Sequence, residues 1–249
     1  MEQQTAPGGQ PAAILGAIGA ATARLLAALA TLTDGQAREP SLLPGWTRGH
    51  VLTHLARNAD GLANLLRSAR TGSETPMYAS DASRDADIEA GAGRPAAELV
   101  ADVRESAASF GREAELMPAG AWTVQVRRTP GGEQFPADGV PLRRLGEIEI
   151  HHADLGLGYR PRDWPEEFVT AYFPRVAGAW AGRADAPACL VWPAGTSDRL
   201  PVGAARPGDG VPVVHGSRAD LLAWLLGRGT GEGLSVDGAG APPALPAWR

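Results

Sequence analysis

Four of the chain's five histidines, His50, His54, His151 and His152, fall on two segments with helical periodicity. Glu147 precedes His151 by four residues, so a helix stacks the two side chains one turn apart on a common face. That spacing presents a carboxylate and an imidazole to one cation. With His54 from a facing helix the set becomes His/Glu/His, and three protein ligands leave the fourth tetrahedral position open for water or substrate, as catalytic zinc requires. Glu149 with His152 is a rival pair, because Leu145, Ile148, His152 and Leu155 make the cleaner apolar stripe. His50 and His54 form an i, i+4 pair of their own, although His50 lies near a helix start, where it can satisfy a local hydrogen bond. For each of these groups the plain alternative is a hydrogen-bonded core imidazole or a solvated helix face carrying occasional ion pairs.

The elements that must position these groups are legible as apolar periodicity. Leu15, Ile18, Thr22, Leu25, Leu29 and Leu32 recur at spacings of three and four, which predicts a helix over Pro11 to Thr33. After the turn Glu39 to Trp46, Thr47 can cap a second helix with Val51, Leu55, Leu62 and Leu66 as its stripe, ending near Gly72. Ser73 to Gly93 is polar and reads as a long loop with room for a helical turn. Pro95 suits the first turn of a third helix carrying Leu99, Val103 and Phe110, running to Met117 and stopped by Pro118. Thr123 to Gly139 is turn-rich and can hold a short hairpin. A fourth helix runs from Val140 through Leu145, Ile148 and Leu155 to Gly156 or Gly158. Four helices of this length can close a bundle around one core.

Beyond residue 160 the pattern changes. A helix is expected over Glu166 to Arg183, strands at Cys189–Trp192, Val211–His215 and Leu234–Val236, and a helix over Arg218 to Leu226. The chain is therefore read as α+β: a four-helix bundle over residues 1–160, then a small mixed α/β domain over 161–249. Gly238 to Trp248 reads as a Pro- and Ala-rich terminal arm.

Composition removes several function classes. The 249 residues are 44% hydrophobic and 20% charged, values of an ordinary globular protein that exclude wholesale disorder. All 23 basic residues are arginine, so no catalytic lysine exists. A net charge of −5 without a basic block disfavours nucleic acid as a partner. The single cysteine, Cys189, lies in the apolar run Ala188 to Trp192 and reads as a buried small hydrophobe. One cysteine allows neither an intramolecular disulfide nor a multi-cysteine zinc site. The apolar segment Ala12 to Thr33 has Arg24 in its middle, and the leader Met1-Glu2-Gln3-Gln4 carries an acid and no base. It fits neither a signal peptide nor a membrane span, so a cytoplasmic protein with no membrane partner is expected.

Leu43-Pro44-Gly45-Trp46-Thr47-Arg48-Gly49-His50-Val51-Leu52-Thr53-His54-Leu55-Ala56-Arg57-Asn58 resembles the N-terminal metal-binding signature of the mycothiol-dependent maleylpyruvate isomerases, members of the DinB-like four-helix-bundle superfamily. Glu74-Thr75-Pro76-Met77-Tyr78, Glu147-Ile148-Glu149-Ile150-His151 with Asp154-Leu155-Gly156, and Gly227-Arg228-Gly229 agree in order along nearly the whole chain. The resemblance implies that His54, Glu147 and His151 hold a divalent metal, zinc by preference. It selects Glu147 and His151 over Glu149 and His152. It also implies that Arg228, from the C-terminal domain, acts in catalysis and in binding the cosubstrate. Without the resemblance Arg228 would read as a surface residue beside a helix end. Asp154 can orient an imidazole, or serve only as a polar helix end.

The activity implied is conversion of maleylpyruvate to its trans isomer with mycothiol as a dissociable thiol cosubstrate. Thiolate addition lowers the bond order of the alkene, the resulting single bond rotates, and elimination regenerates the alkene. A guanidinium suits the substrate carboxylates and the developing enolate, with Arg228 first and Arg84 and Arg144 as weaker candidates. Two alternatives remain open at this point: a mycothiol S-transferase that stops at the adduct, and a non-catalytic, metal-stabilised binding or regulatory protein. The partners expected are a small-molecule substrate and a low-molecular-weight thiol; the sequence leaves the oligomeric state open, with a monomer favoured.

Overall fold

Residues 9–238 and 240–248 are described in the computed structural model, with side chains from Ala12 onward. The leader Met1-Glu2-Gln3-Gln4 lies outside the described residues. The chain divides into two units, Met1–Gly158 and Tyr159–Arg249.

The first unit is helical. Helix α1 (Gly9–Ala28) buries Ile18, Ala21 and Leu25. It stops five residues short of the expected Thr33. The reason is local: Thr33 is the N-cap of a separate short helix α2 (Asp34–Arg38), with Gln36 closing a capping box. Helix α3 (Arg48–Thr71) begins on Thr47, whose hydroxyl accepts from the His50 N–H, and ends on Gly72 at φ 73°. It is the central helix. Val51, Leu52, Leu55, Leu62, Leu65 and Leu66 are all at or near zero exposure, and each full burial contributes roughly 1.5–3 kcal/mol. The part-exposed Arg57–Asp102 ion pair at 2.6 Å contributes about 1 kcal/mol or less, so apolar packing dominates the seating of α3.

A correction falls between residues 73 and 93. The expected loop contains helix α4 (Asp81–Ala92), started by Ser80, which exchanges hydrogen bonds with Ser83 as a capping box. Only Ile88 and Ala92 of this helix are buried. With so few apolar anchors its hydrophobic stripe is too faint to read as a period. Helix α5 (Ala96–Glu115) follows, with Pro95 at its N-cap and Leu99, Val103 and Phe110 buried. A 3-10 turn (Ala119–Thr123) leads into a hairpin of β1 (Gln125–Arg127) and β2 (Gln134–Pro136), paired antiparallel. Helix α6 (Gly139–Asp154) completes the unit. Contacts run from α1 to α6, α6 to α3, α3 to α5 and α5 back to α1, which closes the four long helices into a bundle.

The second unit packs helix α7 (Glu166–Trp180) and helix α8 (Arg218–Leu225) with a four-stranded sheet. Its strands are β3 (Cys189–Pro193), β4 (Leu200–Val202), β5 (Val213–Gly216) and β6 (Ser235–Val236), in the order β4-β3-β5-β6. Strands β3 and β5 are parallel, and both edge pairings are antiparallel. Trp180 is fully buried between the two helices, its indole N–H donating to the Leu225 carbonyl at 3.0 Å. Helix α7 ends three residues before the expected Arg183. Among the described residues no helix is long and apolar enough to cross a membrane.

Candidate metal centre

His54 lies in the second turn of α3, and Glu147 and His151 lie one turn apart on α6. The packing of α3 on α6 brings the three together: one ligand atom from each lies within 4.8 Å of the other two. His54 Nε2 is 2.9 Å from Glu147 Oε2 and 3.1 Å from His151 Nε2. His151 Nε2 is 3.4 Å from the same carboxylate oxygen.

The groups behind the trio set how each ring is presented. His151 Nδ1 lies 2.8 Å from Asp154 Oδ2. A carboxylate accepts, so Nδ1 carries the proton and Nε2 is turned to the cluster. His54 Nδ1 faces Arg84 Nη2 at 3.2 Å. The Trp46 ring covers His54 at 5.6 Å between centroids. Trp46 is fixed by its own turn: its carbonyl accepts from the Ser41 N–H and hydroxyl, both at 2.8 Å.

The electrostatics separate the two imidazoles. Burial, with the neighbouring His151, pushes His54 down to about 4 despite its bond to Glu147. His151 is also opposed by burial, but its hydrogen bonds to Asp154 and Glu147 outweigh that and raise it. Burial likewise opposes ionisation of Glu147, and the two imidazoles overcome it and hold the carboxyl well below its usual range. At neutral pH the cluster is one carboxylate with one neutral ring and one ring of raised basicity. This donor set suits a divalent cation of the zinc type, with three protein ligands and a fourth position to spare.

The rival pair lies elsewhere on α6. His152 is 3% exposed and its basicity is pushed down to about 4 by burial and by Arg24 of α1. Glu149 is 1% exposed and pairs with Arg24 at 2.5 Å. The apolar stripe containing His152 therefore marks the core face, and the trio occupies the neighbouring face. His50 Nδ1 is 2.7 Å from the Thr47 hydroxyl, a helix-start contact, and its Nε2 is 3.2 Å from exposed Glu89. Arg144 is 1% exposed and donates to the Leu55 carbonyl at 2.9 Å and to Asn58 Oδ1 at 3.1 Å, tying α6 to α3. In the second unit, Arg228 follows α8, is half-buried, and donates from Nη1 to the Leu226 carbonyl at 2.7 Å. His215, also in that unit, pairs with Asp237 at 2.9 Å.

Two neighbours of the trio escaped periodicity. Arg84 is carried by the helix whose stripe is faint, and the readable signal was Ser80 with Ser83. Trp46 belongs to a turn, where no repeat exists to be read.

Residues 18–156 match the family described as the mycothiol maleylpyruvate isomerase N-terminal domain, and residues 163–247 match the MDMPI C-terminal domain. Two similar solved structures are crystal structures of the mycothiol-dependent maleylpyruvate isomerase and of a histidine-to-alanine mutant of it. Each is 29% identical to this chain, with a TM-score of 0.86, covering 96% of this chain and 97% of the other. Among curated proteins no relative is found. Both halves are matched in order and the bundle and sheet superpose over almost their whole length, so the chain belongs to the mycothiol maleylpyruvate isomerase family.

Proposed function

We propose that this chain is a mycothiol-dependent cis–trans isomerase acting on maleylpyruvate or a closely related conjugated cis-alkene acid. The observation that carries the reading is the convergence of His54, Glu147 and His151 within 4.8 Å in a chain matched by this family across both units. We assign these three residues as the ligands of a divalent metal, zinc by donor type. When bound, such an ion supplies positive charge that lowers the pKa of a thiol placed beside it.

The protein's own thiol is unsuited to the chemistry. Cys189 is fully buried and burial pushes it up to about 11, so it holds almost no thiolate at neutral pH. An external thiol is required, and mycothiol fits that need. Its thiolate adds to one alkene carbon and the electron pair moves to the conjugated carbonyl as an enolate. The former double bond rotates as a single bond. Collapse of the enolate expels the thiolate and restores the alkene in the extended geometry, so the thiol is returned unchanged.

The residues around the trio have distinct tasks in this reading. Asp154 holds the His151 ring in register, and Glu147 stays ionised as the one anionic member of the trio. Trp46 shields a face of His54 from solvent. Arg228 supplies a guanidinium to the cosubstrate and to the negative charge of substrate and enolate.

The test is incubation of zinc-loaded protein with maleylpyruvate, with and without mycothiol. The expected result is trans product only when the thiol is present. A stable thiol adduct would replace the reading with an S-transferase, and no reaction in either mixture would favour a metal-stabilised binding protein.

A further inference from the structure

The segment Glu74 to Tyr78 and the start of α4 have no task in the reading above, yet they press two polar groups toward the trio. The segment is seated tightly. A Cβ at Gly61 of α3 would lie 2.4 Å from Met77 Cγ, so the absence of a side chain there lets Met77 reach the helix. The Met77 N–H donates to the Arg128 carbonyl at 3.1 Å, and the Arg128 guanidinium stands 5.5 Å from the Tyr78 ring centroid.

Tyr78 is 8% exposed, and its buried hydroxyl lies beside the Arg84 guanidinium, short of a hydrogen bond of normal geometry. A buried hydroxyl left short of a full hydrogen bond is costly, by up to about 1–3 kcal/mol when no bond is made at all, so this one has hydrogen-bonding capacity to offer a ligand. A phenol ordinarily ionises only near pH 10, and burial pushes that of Tyr78 higher still. The phenol therefore keeps its proton at neutral pH and can donate it.

Arg84, 22% exposed, is presented by the first turn of α4, its N–H bonded to the Ser80 carbonyl at 3.1 Å. Its Nη2 lies 3.2 Å from a ring nitrogen, His54 Nδ1, and the guanidinium also adjoins the Tyr78 hydroxyl. Its acidic contact is Asp85 at 2.6 Å, a residue 68% exposed, and such a surface pair neutralises little of the charge. A guanidinium and an un-ionised phenol are both donors. Side by side, next to the trio, they form a site for an anionic acceptor.

We propose that Arg84 and Tyr78 form the carboxylate-receiving site for the substrate: Arg84 takes the carboxylate through paired N–H donors and the Tyr78 hydroxyl adds a further hydrogen bond. This rests on the reading that the trio acts on an unsaturated acid, and it deepens that reading by naming the residues that select an acid. The site lies wholly within the bundle unit and takes a substrate carboxylate, which leaves the cosubstrate and the enolate charge to Arg228.

The experiment uses zinc-loaded full-length protein and succinate, a dicarboxylate with no alkene to react. Succinate affinity is measured by calorimetry for the wild type, Arg84→Met, Arg84→Lys and Tyr78→Phe, alongside zinc content and isomerase kinetics. Arg84→Met should weaken succinate on the order of 10- to 100-fold and Tyr78→Phe about tenfold. Arg84→Lys should recover part of the loss. Zinc content should be unchanged, and KM should rise more than kcat falls. Unchanged succinate affinity in the Arg84→Lys and Tyr78→Phe proteins would overturn the proposal, as would loss of zinc, which would make Arg84 a support for His54 alone. A wild type that binds succinate through Arg84 but fails to isomerise maleylpyruvate would sink the isomerase reading and leave this site standing. A wild type that isomerises while the variants keep normal KM would do the reverse.

Discussion

His151 and Asp154 form a 2.8 Å pair on the last turn of α6, and the acid is only 2% exposed. The bond determines which nitrogen of the ring is free, and therefore whether Nε2 can face His54 and Glu147. Removing such an oriented partner typically weakens metal binding about 10- to 100-fold. Asp154→Ala should lower zinc affinity by that factor, measured by competition with a chromogenic chelator. Unchanged affinity would mean that packing alone holds the ring.

Neighbouring histidines should behave in opposite ways. His54→Ala and His151→Ala should each lose bound zinc by elemental analysis, whereas His152→Ala should retain it. The reason is placement: His152 lies on the core face of α6, within the field of Arg24, and its Ala variant loses packing rather than a ligand. Loss of zinc from His152→Ala with retention in His151→Ala would invert the ligand assignment.

The pH dependence follows from the direction of each shift. His54 and His152 take up protons near 6.5 when unfolded but only near 4 when folded. Between those values the unfolded chain binds more protons, so the folded protein loses stability as pH falls from about 6.5 to about 4. His151 has the opposite sign, since its raised value favours the folded state below 6.5 and that contribution fades as pH rises through the raised value. Two groups against one predicts net acid lability, on the order of a few kcal/mol for metal-free protein. Denaturant melts at pH 7 and pH 5 test this, and His152→Leu should flatten the slope. Zinc must displace the His151 proton, so zinc affinity should start to fall at a pH above 6.5. A fall beginning only near pH 4 would show that His151 is not protonated in the relevant range.

The parts of the fold that could be read in advance are those with local chemistry of their own. Thr47 and Gly72 bracket α3 because one side chain and one positive φ are enough to start and stop a helix. The four-residue step from Glu147 to His151 fixes a shared face without tertiary knowledge. The stripe through Leu145, Ile148 and His152 correctly marks a buried face, yet burial and ligand geometry are different properties, and periodicity reports only the first. Helix α4 was hidden by having two buried residues, and β4 by being three residues long with Pro201 at its centre. The approach of Arg84 to His54 depends on how α4 lies on α3, which no local pattern encodes.

Arg228 and the trio should separate cleanly in kinetics. Arg228 is half-buried, donates to the Leu226 carbonyl, and is not one of the three groups assigned as metal ligands. Arg228→Ala should retain full zinc content and its helical circular dichroism while losing turnover by about 100-fold or more, the scale of a lost charge-assisted contact in the transition state. An unchanged rate would remove it from the reaction.

Gly49 and Gly19 provide a contrast that tests whether the seating of α4 matters to the site. A Cβ at Gly49 would lie 2.1 Å from the Ala92 carbonyl oxygen, a backbone atom that cannot turn aside, so α3 and α4 would have to separate. Gly19 is in a helix with nothing within 4 Å of the added atom. Gly19→Ala should therefore stabilise by about 0.5–1 kcal/mol through helix propensity. Gly49→Ala should destabilise by roughly 1–3 kcal/mol, the usual range for forced overpacking. Because α4 carries Arg84, the same change should raise KM for the proposed acid substrate, whereas a metal on the assigned ligands of α3 and α6 should stay bound. Thermal melts, metal analysis and initial rates on the two variants separate these effects. A Gly49→Ala protein as stable as the wild type would show that α4 yields without strain.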